Sequence, residues 1–230
     1  MPSNNHRAAL ALAAVLLLAP VTAQATIANA IEFDTKVDNA ASIVLGRVVS
    51  QEARWDAARN WILTYSTFQV EKTMKGFPAQ QITIVTPGGT VGTVAQDVVG
   101  VPRFREGEDH LLFVRNSQAG PTVLYFEQGA YRVVKEGSDR IVQPLVSSAV
   151  LVDTQRGTAV APERPRSLRE FEGKVRDTIQ RREAVRMKIV EQKKREQASI
   201  WNQIQRNKLL VAFAMIGVAL AAWQVWKHRG

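Results

Sequence analysis

The chain has 230 residues, no cysteine and a formal net charge of +9, enough length for one ordinary domain with appendages. The missing cysteines exclude a disulfide framework and a thiolate-ligated metal site. Residues 26–165 carry fourteen Lys/Arg against fifteen Asp/Glu, whereas residues 166–208 carry thirteen against six. The basicity therefore belongs to one segment, which argues against a nucleic-acid-binding fold and a nucleic-acid partner.

In chain order, residues 1–25 read as a secretory signal peptide: a polar start ending in His6-Arg7, an apolar run from Ala8 to Val21, and the small-x-small site Ala23-Gln24-Ala25. A β domain is expected over 26–160. Its strands are "SIVLGRVVSQEARW" from Ser42, "WILTYSTFQVEKTMKG" from Trp61, "QQITIVTP", "DHLLFVRN", "TVLYFEQG" and "AYRVVKEG", with "QPLVSSAVLVD" as a possible seventh. Period-two alternation, β-branched residues and Gly/Pro punctuation carry these assignments. Short strands so punctuated predict a mainly β fold, a small barrel with a sandwich as the alternative.

Residues 161–166 form a Pro-containing linker. A basic helix follows over 167–208, capped by Ser167 with Glu170 three positions on. Its cations Lys193, Lys194, Arg195, Arg206 and Lys208 suit anionic lipid headgroups. Residues 209–226 contain no charge, and at about 1.5 Å per residue they make about 27 Å of helix. Lys208 and Lys227 border the stretch, and Trp223 and Trp226 sit where interfacial aromatics belong. The expectation is a single C-terminal transmembrane pass with a cytoplasmic tail at 227–230. The β domain would then be exported from a bacterial cytoplasmic membrane and face the periplasm or exterior. The cations at 193–208 lie on the exported side, which the positive-inside rule disfavours, but a cleavable signal commits the chain first.

The order of "ASIVLGRVVS", "TYSTFQVEKTMKG", "ITIVTPGG" and "FREGEDHLLFV" resembles a group of exported bacterial proteins. More broadly it is similar to the OB barrel of netrin modules and tissue inhibitors of metalloproteinases. The likeness covers about Ala41 to Val134, with Lys72 to Gly76 and "FREGEDHLLFV" its most distinctive parts. It implies an OB-like barrel used for protein or ligand interaction. Inhibitors of that type approach zinc with an N-terminal cysteine. Here Thr26 would open the mature chain, so zinc-directed inhibition does not carry over.

No residue set commits the chain to a reaction. His110, beside Glu106, Glu108 and Asp109, is the single histidine of the β domain. A zinc site needs three or four converging ligands, so no metal and no cofactor are expected. The candidate serines lie outside any nucleophile-elbow context. The glycine-rich stretch "PGGTVGTVAQDVVGVPRFREGEDHLLFV" lacks a phosphate-loop Lys-Ser/Thr and is followed by no helix. It reads as a loop surface for a protein of the cell envelope, with Pro87, Gly88, Gly89, Val91, Gly92, Asp97, Gly100, Arg103 and Arg105 as its candidate binding residues. The function expected is a membrane-anchored exported interaction module without catalysis. Two alternatives stand beside it: a hydrolase or metal-dependent enzyme centred on His110, and a loop-type inhibitor of an exported protease.

Overall fold

The computed structural model describes residues 27–57, 60–77, 79–145, 150–153, 157–161 and 163–227. The expected signal peptide lies outside them. The chain divides into two compact units, one ending at Glu172 and the other beginning at Gly173.

The first unit is mainly β. It opens with β1 (Ile27–Asn29) and a short helix, α1 (Phe33–Asn39). Two fifteen-residue strands follow, β2 (Ser42–Asp56) and β3 (Trp61–Lys75). Next come β4 (Gln81–Pro87) and a small hairpin, β5 (Gly89–Val91) with β6 (Val94–Gln96). The remaining strands are β7 (Asp109–Ser117), β8 (Gly120–Val123), β9 (Ala130–Glu136), β10 (Asp139–Pro144), β11 (Val150–Asp153), β12 (Thr158–Ala159) and β13 (Arg166–Ser167). The main sheet runs β13-β10-β9-β7-β2-β3-β4, with β8 also on β7. β1 lies parallel to β11 in a separate three-stranded sheet with β12. No ladder among the described residues closes any of the three sheets into a barrel.

The run His110 to Val114 on β7 is buried at every position, as expected of a strand covered on both faces. One face sends Leu112 and Val114 into a core with Val44, Val48, Phe68, Ile84 and Phe104. Phe113 points to the other face, where its ring meets Phe33 of α1 at 6.0 Å and Phe171 at 6.2 Å. Tyr131 of β9 completes that aromatic cluster, 5.0 Å from Phe171.

One sequence expectation changes here. The strand expected at "TVLYFEQG" stops at Val123 and gives way to a 3-10 turn, Phe126–Gly129. Tyr125 and Phe126 adopt left-handed φ of 58° and 56°. Gly129 makes the turn possible, because a Cβ there would stand 1.8 Å from the Leu124 carbonyl oxygen. Pro87 pairs with Leu63, and Gly88 N–H donates to the Ile62 carbonyl at 2.8 Å.

The second unit comprises the rest of α2 (Leu168–Arg206) and α3 (Lys208–Lys227). The expected cap is present at the start of α2, where Ser167 Oγ accepts from Glu170 N–H at 3.2 Å. The transmembrane expectation is corrected: among the described residues, no helix is long and apolar enough to cross a membrane. Helix α3 has only twenty residues, of which Lys208 and Lys227 are charged. The uncharged stretch sits at the short end of what a bilayer core of about 30 Å requires, and Gln224 lowers its hydropathy further. The placing of the chain in a bacterial cytoplasmic membrane by a single C-terminal pass falls with it.

Candidate functional site

A cleft of about 470 Å³ opens where the β5–β6 hairpin folds back over the distal halves of β2 and β3. Along β2 and β3, Gln51 faces Ser66, Ala53 faces Thr64, and Trp55 faces Ile62. Side chains alternate between the faces of a strand, so these six share one face. Gly89 lies against it: a Cβ there would stand 2.4 Å from Thr64 Oγ1 and 3.1 Å from Ala53 Cβ. Its φ of +133°, and the +94° of Gly88, belong to the region that favours glycine. Thr64 Oγ1 donates to the Gly88 carbonyl at 2.7 Å, and Ile62 N–H donates to Gln96 Oε1 at 2.6 Å. Two glycines and two side-chain bonds thus hold the hairpin over the sheet.

The far wall is the segment 97–104. Val101, Pro102 and Phe104 are buried, and Phe104 packs edge-on against Phe68 at 5.1 Å and His110 at 4.9 Å. Gly107 N–H to the Val48 carbonyl (2.9 Å) and Val48 N–H to the Glu108 carbonyl (3.0 Å) anchor the end of the loop on β2. The ionised groups at the mouth, Asp97 and Arg103, are exposed and paired with each other. Such an exposed pair leaves little net field.

Of the residues expected from sequence, Pro87, Gly88, Gly89, Asp97 and Arg103 line this cleft. Val91 and Gly92 lie at the tip of the β5–β6 hairpin, and Gly100 and Arg105 lie elsewhere in the following loop. Gln51, Thr64, Thr86, Gln96 and Phe104 also line it, and the sequence reading missed them. Gln51 and Thr64 sit inside long alternating strands and look like ordinary strand residues. Only the β2–β3 pairing and the hairpin above it bring them to Gln96. Lys193, Lys194, Arg195 and Arg206 are exposed on α2, with Arg195 paired to Glu191 at 2.6 Å, and Lys208 begins α3.

His110 stands inside β7, opposite Gly46 of β2 and Arg132 of β9. Its ring is fully buried, with Nε2 3.2 Å from Glu108 Oε2 and Nδ1 without a hydrogen-bond partner. Burial pushes its pKa below the ordinary histidine value, against the opposing pull of Glu108. The ring is neutral near neutrality and packs as a core aromatic. Among the described residues no group of three or more His, Cys, Asp or Glu side chains could hold a metal ion. Next to it, Asp109 accepts from Arg47 Nε at 2.7 Å and lies 3.5 Å from Arg140 Nη2. The Arg47 hydrogen bond holds its carboxyl below the usual range. This network spans the exposed side of four strands and opens on no cavity of the main cleft.

Comparison with protein-family models, with curated proteins and with solved structures yields no match.

Proposed function

We propose that the chain is a non-catalytic recognition module that holds a partner or ligand in the cleft between the β2–β3 face and the segment 95–104. The observation that carries this reading is the cleft itself. Its volume of about 470 Å³ is within the range of binding pockets, and its two walls are held together by Gly88, Gly89, Thr64 and Gln96. The burial of His110 under Phe104 weighs against acid–base work, because no reacting group reaches a ring enclosed on all sides. An OB-like curl is the finer reading of the fold. β4 and β8 approach each other, a Cβ on Gly120 lying 3.3 Å from Val85 Cγ2, and recognition by the face of a curled sheet and its loops suits such folds.

A photo-crosslinking residue placed at Thr90 or Ala95, both exposed on the cleft wall, should capture one discrete species. The reading fails if it captures nothing and if filling the mouth with Ala95→Trp leaves every cellular phenotype of the chain unchanged.

A second surface has its own observation. Lys193, Lys194 and Arg195 are consecutive and exposed on α2, which supports contact with anionic headgroups at up to about 1 kcal/mol per cation. Co-sedimentation with phosphatidylserine vesicles tests it.

A further inference from the structure

A second cleft, of about 380 Å³, opens where the end of β4, the end of β8 and the segment 101–102 meet the 3-10 turn. Its walls are mostly apolar, built from the buried residues Val101, Pro102, Val123 and Leu124 with Pro87 and Phe126 beside them. The backbone here is strained. Tyr125 and Phe126 follow one another at φ of 58° and 56°, a conformation that a residue with a Cβ resists. Three bonds hold them in it. Asn39 Nδ2 donates to Tyr125 Oη at 2.5 Å, Glu127 N–H to the Gly100 carbonyl at 2.9 Å, and Gln128 N–H to the Tyr125 carbonyl at 3.2 Å. Strain held in this way gathers at ligand sites. In this turn it leaves Phe126, a large apolar ring, 55% exposed beside an apolar cleft.

Among the described lining residues Arg115 alone is ionised, and no Asp or Glu stands with it. It lies on β7 across from Thr122 and is exposed. Among the described residues its guanidinium has no ion pair and no hydrogen-bond partner, whereas Arg103 in the first cleft is paired with Asp97. An unpaired guanidinium beside apolar walls selects an anion with an apolar body, and a carboxylate matches its fork with two parallel bonds. A phosphate monoester, at about −2, would bring a second charge that these walls cannot compensate. The body of the ligand must also need few hydrogen bonds. Thr86 Oγ1 is directed at the Thr64 carbonyl, 3.5 Å away, and Tyr125 Oη already accepts from Asn39. A peptide would press several backbone amides against such walls and leave them unpaired. A hydrocarbon tail brings none.

We propose that this second cleft binds a free monocarboxylate with a compact hydrocarbon body. Its carboxylate lies on the Arg115 guanidinium and its tail against Val101, Val123, Leu124 and Phe126. A volume at the low end of small-molecule pockets suits such a ligand. Thr86, Pro87, Val101 and Pro102 line both clefts, but Gln51, Thr64, Gly89 and Gln96 line only the first. The two sites therefore stand or fall separately.

The test titrates decanoate, below its micelle-forming concentration, into the isotopically labelled full chain and follows the amide resonances of Thr86, Val101 and the segment 122–127. These should shift saturably. Decanol, with the same tail and no charge, should bind at least about tenfold more weakly. Arg115→Gln keeps an amide donor without the charge, and should bring decanoate down to the level of decanol while leaving decanol within about twofold of the parent. Phe126→Ser should weaken both probes together. Equal binding of decanoate and decanol by the parent chain overturns the proposal, and this comparison needs no variant to fold. Tighter binding of decyl phosphate than of decanoate overturns the selection of a single charge. Shifts with a peptide ending in a free carboxylate, but not with decanoate, overturn the free ligand and give Arg115 to a protein C-terminus. No saturable shift at 122–127 with any of these probes overturns the site, whatever species Thr90 or Ala95 captures at the first cleft.

Discussion

Lys36 is the most consequential charged residue of the first unit, and its removal should destabilise the fold severely. It sits on α1 with 2% of its surface exposed. Its Nζ donates to Tyr131 Oη at 2.5 Å, to the Gln128 carbonyl at 3.2 Å and to the Glu163 carboxylate, and it lies 5.2 Å from the centre of the Tyr131 ring. Lys36→Met keeps the length and apolar body of the side chain but leaves these acceptors behind. Breaking a buried ion pair from one side costs about 3–5 kcal/mol. Glu163 retains 28% side-chain exposure, so water relieves part of the cost and the lower end, about 3 kcal/mol, is the better figure. For a chain of this size that lowers Tm by about 6–12 °C. Glu163→Gln alone should cost less, because Tyr131 and Gln128 still hold the ammonium. The double variant should show a coupling of about 1–3 kcal/mol. Thermal and urea unfolding of the four species measure it. A loss under about 1 kcal/mol for Lys36→Met, or strict additivity with Glu163→Gln, would refute the reasoning.

His110 predicts a pH dependence. Its folded pKa is lowered by burial, so the unfolded chain binds the extra proton first. Stability from this group is complete above the ordinary pKa of about 6.5 and falls as pH drops below it, at no more than about 1.4 kcal/mol per pH unit. Urea midpoints across that window should show the slope, and His110→Phe should remove it. Gly129→Ala should cost more than about 3 kcal/mol or prevent folding, since its Cβ would meet the Leu124 carbonyl oxygen at 1.8 Å. Gly137→Ala, with open space around it and only a φ of +60° to resist, should cost about 1 kcal/mol; equal losses would show that the turn at 126–129 is not closed by that contact. Reversing Lys193, Lys194 and Arg195 to Glu should abolish sedimentation with phosphatidylserine vesicles and leave Tm unchanged, and undiminished sedimentation would remove these cations from any lipid contact.

Period-two alternation and β-branched residues marked the paired strands around Ser42–Asp56, Trp61–Lys75 and Gln81–Pro87, although β2 is buried on both faces at 43–46 and β4 at 84–86. Ser167 and Glu170, with a proline-free run after them, were enough to start the long helix. These features were legible because each depends on residues within a few positions of one another. The early end of β8 at Val123 was not, because Gly129 only matters once its backbone meets Leu124. The uncharged run over 209–226 suggested a membrane span, but the twenty residues from Lys208 to Lys227 did not make a helix of the required length and apolarity among the described residues.

The binding residues divide in the same way. The glycines at 88 and 89 marked their loop in the sequence, since left-handed φ values restrict the residue type. Gln51, Thr64 and Gln96 carry no such mark. Their role comes from β2 and β3 pairing in one register and from the hairpin crossing that face, contacts between residues tens of positions apart. Local chemistry determined where this chain bends, extends and coils. Only the tertiary structure decided which neutral amides and hydroxyls would line one cleft, because a hydrogen-bonding side chain has no assigned partner until the fold brings one within reach.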